Sequence, residues 1–230
     1  MKLIRVTHLE KFRRYITEQS DYDTEESVID AITGEFKGNE YTFIGTAFHR
    51  IVEGDYSGVE KIEGGRIFNI DGNKVAYDIS QCKVAMSYAE SMPDAFHEIR
   101  EYQEIQGVMI TGCVDIIDGF TIRDIKTKYS PINDTDYIDS CQWRFYLNLF
   151  GADTFMFDLF EFVGYKKDKH GLDVRGLEIR QYSPPITCYR YNGMDQDNEN
   201  LVKEFVEWAK LKGLFDSLPD YDAINGNELH

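Results

Sequence analysis

The stretch Gly112-Cys113-Val114-Asp115-Ile116-Ile117-Asp118-Gly119-Phe120-Thr121-Ile122-Arg123-Asp124-Ile125-Lys126 constrains the fold more than any other part of the chain. Apolar-rich runs flank Asp118-Gly119, the strongest short-range signal for a β-hairpin. With that dipeptide as a two-residue turn, Ile117 pairs with Phe120 and Asp115 with Ile122. Asp124 and Lys126 then share the face of the sheet that carries Asp115. Asp115 and Asp124 become diagonal neighbours about 7–8 Å apart at the backbone, and two unneutralised carboxylates at such a site repel. A hard divalent cation such as Mg²⁺ relieves the repulsion, takes oxygen ligands and leaves positions for water and phosphate. These groups suit phosphodiester hydrolysis.

The 230 residues, 42% of them hydrophobic, are enough to bury a substantial core. No repeat, low-complexity block or linker divides them. Cys82, Cys113, Cys141 and Cys188 show neither CxxC pairing nor regular spacing and read as reduced, mostly buried thiols. The start Met1-Lys2-Leu3-Ile4-Arg5-Val6 lacks an apolar signal core, and no later run reaches the length of a membrane span, so a soluble protein of the cytoplasm is expected. Forty-one acidic residues against twenty-five basic ones give a net charge of −16, which opposes broad nucleic-acid binding. Local cations remain: Lys11, Arg13 and Arg14 near the start, and Arg123, Lys126 and Lys128 around the hairpin. They predict a narrow basic channel on an acidic body.

Apolar periodicity predicts a helix from Val6 to about Glu18, then an acidic loop or solvated helix to Asp30. Further helices are expected over Gly45–Glu53, over Lys83–Ser91 and over Asp136–Phe150, the last ending at Gly151. Ala95 to Lys126 reads as three strands broken near Gln106-Gly107 and Asp118-Gly119. Thr154–Tyr165 reads as a strand, with Asp173–Tyr182 as its hairpin partner. A final amphipathic helix covers about Asp195–Lys212, with a frayed tail after Pro219. The order implies an α/β fold with a central mixed β-sheet flanked by helices.

These residues resemble the PD-(D/E)XK nuclease superfamily, in its RecB-like and phage-exonuclease branch. Four elements in that branch's order carry the resemblance over Gly45 to Tyr146. Gly45-Thr46-Ala47-Phe48-His49 is similar to its GxxxH helix, and Asp115 to the aspartate that ends its second strand. Asp124-Ile125-Lys126 is similar to its D-x-K element, and Gln142-Trp143-Arg144-Phe145-Tyr146 to its QxxxY helix. Val114 stands in place of the proline of the superfamily name, which removes no ligand.

The resemblance implies a restriction-endonuclease-like core and a single nuclease domain over 1–230, with its catalytic core about 42–165 and the C-terminal helix about 195–212. It implies a metal site of His49, Asp115, Asp124 and the Ile125 carbonyl, holding one or two Mg²⁺ or Mn²⁺ ions. Lys126 would orient or help deprotonate water and stabilise charge on the scissile phosphate. Gln142 and Tyr146, four apart on one helix, would position Lys126, water or the DNA backbone. Glu98, Glu101 or Glu104 would add a carboxylate, with Glu101 ranked first. The implied activity is an exonuclease on DNA ends in phage or recombination and repair metabolism, leaving 5′-phosphates. DNA, as linear duplex or single strand, is the expected partner, with a homo-oligomer or a recombination protein beside it and no membrane; a phage-encoded chain would work in the host cytoplasm. Cysteine placement speaks against the iron–sulfur variant, and no Walker motif is present.

Other readings stay open on the residues themselves. Asp124 and Lys126 alone read as an ordinary same-face ion pair. His49 also suits a pair with Glu53 or a core position, Gln142 a helix surface, and Tyr146 a core aromatic. At the level of function, a non-catalytic relative that binds a protein within a nucleoprotein assembly, or a metal-dependent hydrolase of RNA or small phosphate esters, remains an alternative.

Overall fold

β-Branched and aromatic residues concentrate in the middle of the chain, and the main sheet forms there. The structure, a computed structural model, describes residues 1–34 and 37–225. β5 (Phe96–Ile105), β6 (Val108–Asp118) and β7 (Thr121–Lys128) follow one another as an antiparallel meander. Gln106 and Gly107 both take positive φ, 52° and 75°, as a tight hairpin turn of type I′ requires. The second turn departs from the sequence expectation. Asp118 pairs with Thr121, so Gly119 and Phe120 form the bend and Ile117 faces Ile122. Gly119 takes φ of 60° at the first turn position, which glycine adopts without a Cβ clash, and Phe120 is left 93% exposed at the tip. The ladder stops at the Ile116–Arg123 pair, and the register extended by one step points Asp115 toward Asp124 rather than Ile122.

The remaining strands complete a seven-stranded mixed sheet. β8 (Thr154–Phe162) runs parallel to all of β7, reached through α5 (Thr135–Ile138) and α6 (Gln142–Phe150). Short β9 (Ile179–Gln181) and β10 (Ile186–Tyr189) share the far edge of β8. β1 (Leu3–Arg5) lies parallel to β6. β5 covers one edge of β6, while β1 and β7 divide the other: β1 meets Met109–Thr111 and β7 meets Ile116–Asp118. Among the described residues, positions 112–115 have no ladder partner on that shared edge.

Helices cover both faces. α1 (Val6–Ile16), α6 and α8 (Met194–Leu211) enclose one core around Leu9, Phe12, Phe145, Phe157 and Phe205, and α2 (Glu25–Thr33) packs on α1. α3 (Glu40–Val52) and α4 (Ile79–Glu90) enclose the other around Phe48, Tyr77, Phe160 and Phe162. A small antiparallel sheet of β2 (Glu60–Ile62), β3 (Gly65–Ile70) and β4 (Asn73–Asp78) closes this second core. Two short helices, α7 (Lys167–His170) and α9 (Tyr221–Asn225), complete the described chain. Among the described residues, no helix is long and apolar enough to cross a membrane.

Several boundaries move for identifiable reasons. α3 begins at Glu40, well before Gly45, because Asn39 and Thr42 form a reciprocal cap, and α4 begins at Ile79 because Asp78 and Gln81 do the same. The helix expected over 136–150 divides: the Glu10 carboxylate accepts the Cys141 N–H and Ser140 Oγ accepts the Gln142 N–H, so α6 is capped by tertiary contacts. α6 ends at Gly151 with φ of 61°, as expected. The acidic segment after Glu18 includes α2, capped by Thr24. The Asp173–Tyr182 partner of β8 narrows to β9. The tail after Pro219 forms α9 as far as Asn225, and the rest of it lies outside the described residues.

His8 on α1 is 8% exposed, and its Nδ1 has no hydrogen-bond partner among the described residues. Burial, with Arg5 nearby adding to it, lowers its pKa to about 4. Between pH 6.5 and about 4 the unfolded chain therefore binds a proton that the native chain does not, so this contribution to stability is complete above pH 6.5 and lost as the pH falls. The loss amounts to roughly 3 kcal/mol. Urea unfolding at pH 7.5 and 4.5 should show a smaller acid-induced loss in His8→Leu than in the wild type.

Candidate active site

The interrupted ladder on β6 creates the site. Ile110 and Val114 enter the core beneath α1 and α6, but Ile116 enters the core beneath α3. A strand that kept its period of two would send Val114 and Ile116 the same way. β6 therefore turns over at Asp115. On β5, Glu98 lies between the pairs His97–Ile116 and Ile99–Val114, at φ of 52°, a conformation that side-chain-bearing residues seldom adopt. On the β7 side, Asp115 Oδ2 accepts the Ile125 N–H at 2.6 Å, in place of a ladder carbonyl.

α3 faces this gap with Gly45, His49 and Glu53 at four-residue steps. A Cβ on Gly45 would lie 3.0 Å from Thr127 Oγ1, so glycine permits the close approach of α3 to β7. One turn on, His49 Nε2 lies 3.2 Å from the Ile125 carbonyl oxygen, and its Nδ1 lies 3.7 Å from Asp115 Oδ1. Ligand atoms of His49, Glu53 and Glu98 lie within 4.8 Å of one another. Burial raises the Glu53 pKa above the ordinary carboxylate value, and the negative charges of Glu98 and Asp115 raise it further. Cys113 Sγ donates to Glu98 at 3.4 Å, and its thiol is pushed up to about 11, by burial first and by Glu98 second.

Lys126 lines the opposite wall, with Asp124 buried behind it. Asp124 is 3% exposed; burial raises its pKa to about 6, Asp115 adds to the rise, and Lys126 opposes it. Lys126 Nζ stands 2.7 Å from Asp124 Oδ2, and 38% of the lysine side chain remains exposed. Burial works against the ammonium, but Asp124 and then Asp115 outweigh it and hold its pKa above the ordinary value. Behind this pair, Gln142 Nε2 donates to Tyr146 Oη at 3.1 Å on one face of α6. The Tyr146 ring lies against Gly112, where a Cβ would fall 2.4 Å from Cε1. Burial first, and the Asp124 charge second, raise the pKa of the Tyr146 hydroxyl.

The structure brings together His49, Asp115, Ile125, Asp124 and Lys126, with Gln142 and Tyr146 behind them. Glu101 is not among them: it is exposed, sits across from Gly112, and lies three residues along β5 from Glu98, the glutamate that this strand contributes. Glu53, read from sequence only as a pairing partner for His49, belongs to the cluster, and its i+4 spacing was the available signal. The basic channel also changes. Lys11 and Arg14 pair with Asp23, Arg13 with Glu10, and Arg123 with Asp158, while Lys128 lies over the Tyr137 ring. Arg5 and Arg100 meet instead in a cavity of about 280 Å³ with Thr111, Gly112 and Tyr146.

The His49 imidazole with the Glu53 and Glu98 carboxylates, and the Ile125 carbonyl and Asp115 beside the imidazole, form a donor set that fits Mg²⁺ or Mn²⁺. Burial is the first cause of the raised pKa values of Asp124 and Glu53, and the neighbouring carboxylates that add to it supply a repulsion that a cation would relieve.

No family model and no curated protein matches the sequence. Solved structures do. The Eubacterium rectale protein named "Putative exonuclease" is 12% identical with a TM-score of 0.52, over 93% of this chain and 82% of its own. A phage related exonuclease from Haemophilus somnus 129PT is 11% identical with a TM-score of 0.38, over 90% of this chain and 82% of its own. The protein SSO0001 is 16% identical with a TM-score of 0.44, over 90% and 77%. At these identities the likeness is one of fold: the chain shares its mixed α/β architecture with the Eubacterium rectale protein.

Mn²⁺ should raise the melting temperature of the wild type. Asp115→Ala and His49→Ala should each weaken Mn²⁺ binding by at least about tenfold in calorimetry. Glu98→Gln should weaken it as well, whereas Glu101→Gln should bind as the wild type does.

Proposed function

We propose that the chain is a metal-dependent deoxyribonuclease of the PD-(D/E)XK superfamily, in its RecB-like and phage-exonuclease branch. In this reading it is a single nuclease domain that hydrolyses phosphodiester bonds at DNA ends and leaves 5′-phosphates. One observation carries it: His49, Asp115, the Ile125 carbonyl, Asp124 and Lys126 converge at the interruption in β6. Residues of the kinds that the family's motifs require thus meet at one place, although they come from three separate elements.

Asp115, Asp124, the Ile125 carbonyl and His49 would hold Mg²⁺ or Mn²⁺, and Glu98 and Glu53 are the nearest donors for a second ion. When bound, the metal lowers the pKa of water and polarises a phosphoryl oxygen. Asp115 is held in place by the Ile125 N–H on Oδ2, with Oδ1 toward His49. Lys126 places a compact positive charge at the cleft wall, where it orients water and stabilises the charge that develops on the phosphate. Gln142 and Tyr146 brace that wall from α6. An acidic chain whose arginines are largely paired grips a phosphate backbone weakly. Retention on DNA would then come from self-assembly or from a recombination partner, in the cytoplasm of the cell or of a phage's host.

The test incubates linear duplex, closed circular duplex, single-stranded DNA and RNA with Mg²⁺, Mn²⁺ or EDTA. Linear DNA should be lost from its ends with either metal and persist in EDTA, with circles intact. Nicked circles would mean an endonuclease, and no cleavage of any substrate a binding protein. Asp124→Ala and Lys126→Ala should each lower the rate by about 10²–10³-fold or more while keeping the wild-type circular dichroism spectrum. Undiminished cleavage by either variant would remove the site assignment.

A further inference from the structure

α3 borders the cleft beyond His49 as well. Tyr41, Gly45, His49 and Glu53 follow one another at four-residue steps, which places Tyr41 roughly 12 Å along the axis from His49. Tyr41 keeps 40% of its surface exposed and lines the same cleft as His49 and Lys126. A tyrosine serving only the core would be covered, as neighbouring Tyr165 is at 7% and Phe162 at 1%.

The ring stands on an ordered pedestal. Its centroid is 5.0 Å from that of Tyr129 and 5.8 Å from that of Tyr165, and Tyr129 in turn stacks on Phe162 at 5.4 Å with planes 21° apart. Tyr129 Oη donates to the Tyr41 carbonyl at 3.1 Å. Glu40, the residue before it, is held by Lys167 at 3.0 Å. An aromatic surface fixed in this way loses little freedom when a planar ligand settles on it.

We propose that Tyr41 is a stacking platform for an unpaired nucleobase a short way along the strand from the scissile phosphate, and that the cleft takes a single-stranded end rather than an intact duplex. The inference rests on the nuclease reading and specifies its substrate. Stacking needs no positive charge and suits every base, whereas the cations that would grip a duplex backbone are mostly paired with carboxylates. The cleft, about 690 Å³, is on the scale of a small-ligand pocket, which suits a base and its phosphate.

The test measures fluorescence anisotropy of a labelled (dT)12 strand and of a blunt 12-base-pair duplex in Ca²⁺, and separately the cleavage of both in Mn²⁺. The wild type should bind the single strand more tightly than the duplex. Tyr41→Ala should weaken single-strand binding about tenfold and leave duplex binding unchanged. Tyr41→Trp should retain single-strand affinity, and Tyr41→Leu, of similar bulk but without a π face, should not. Unchanged single-strand binding in Tyr41→Ala, equal losses on both ligands, or a wild type that prefers the duplex or binds neither ligand would overturn the proposal. Tyr41-dependent binding without any cleavage would instead overturn the nuclease reading and leave the stacking platform standing.

Discussion

The hydrogen bond from the Ile125 N–H to Asp115 is the interaction on which the site depends. A backbone donor inside a sheet must find an acceptor, and leaving it unpaired costs about 1–3 kcal/mol. Had β6 and β7 continued their ladder past Ile116–Arg123, a carbonyl would have filled that need and no opening would exist. With the ladder interrupted, an aspartate does so, and its second oxygen is left facing His49. Structural and chemical roles therefore meet in one carboxylate. The same interruption turns β6 over, which is why Val114 and Ile116 feed different cores.

The electrostatics of the opening run against stability. Asp115, Asp124, Glu53 and Glu98 crowd one region of a chain that already bears a net charge of −16. Burial first, and like-charge neighbours second, push the Asp124 and Glu53 pKa values up; at Asp124 the Lys126 charge opposes the rise but does not overcome burial. Such an arrangement is costly as a purely structural device and makes sense where a divalent cation supplies the missing charge. The fixed positive charge of Lys126 stands at the wall, where a phosphate can reach it.

Local signals were enough for part of this. The β5–β7 meander, the end of α6 at Gly151 and the span of α8 follow from turn residues and apolar periodicity within the chain. The hairpin slipped by one pair because Gly119, rather than Asp118, opens the bend, yet Asp115 kept its face. The slip moves its partner by two residues, and the strand period is two. What could not be read locally depends on neighbours far away in sequence: the parallel docking of β1 on β6, the small sheet of β2–β4, and the charge partners of the basic residues. Lys11 and Arg14 look free until Asp23 is seen between them. Glu98 was distinguishable from Glu101 only through a backbone angle, and sequence carries no mark of it.

The contact of α3 with β7 explains why both ends of the cleft are set together. Four residues of helix rise about 6 Å, and two residues of strand about 6.6 Å, so a helix lying antiparallel on a strand meets it at successive points with little drift. Three such points occur: His49 over the Ile125 carbonyl, Gly45 against Thr127, and Tyr41 against Tyr129. The middle point has no side chain on the helix, so the other two can close on the strand, one bringing an imidazole to the carboxylates and one bringing an aromatic ring to the cleft. Gly45 thus does more than permit close packing. It fixes the distance at which α3 stands from β7, and that distance sets the reach of His49 and Tyr41 alike.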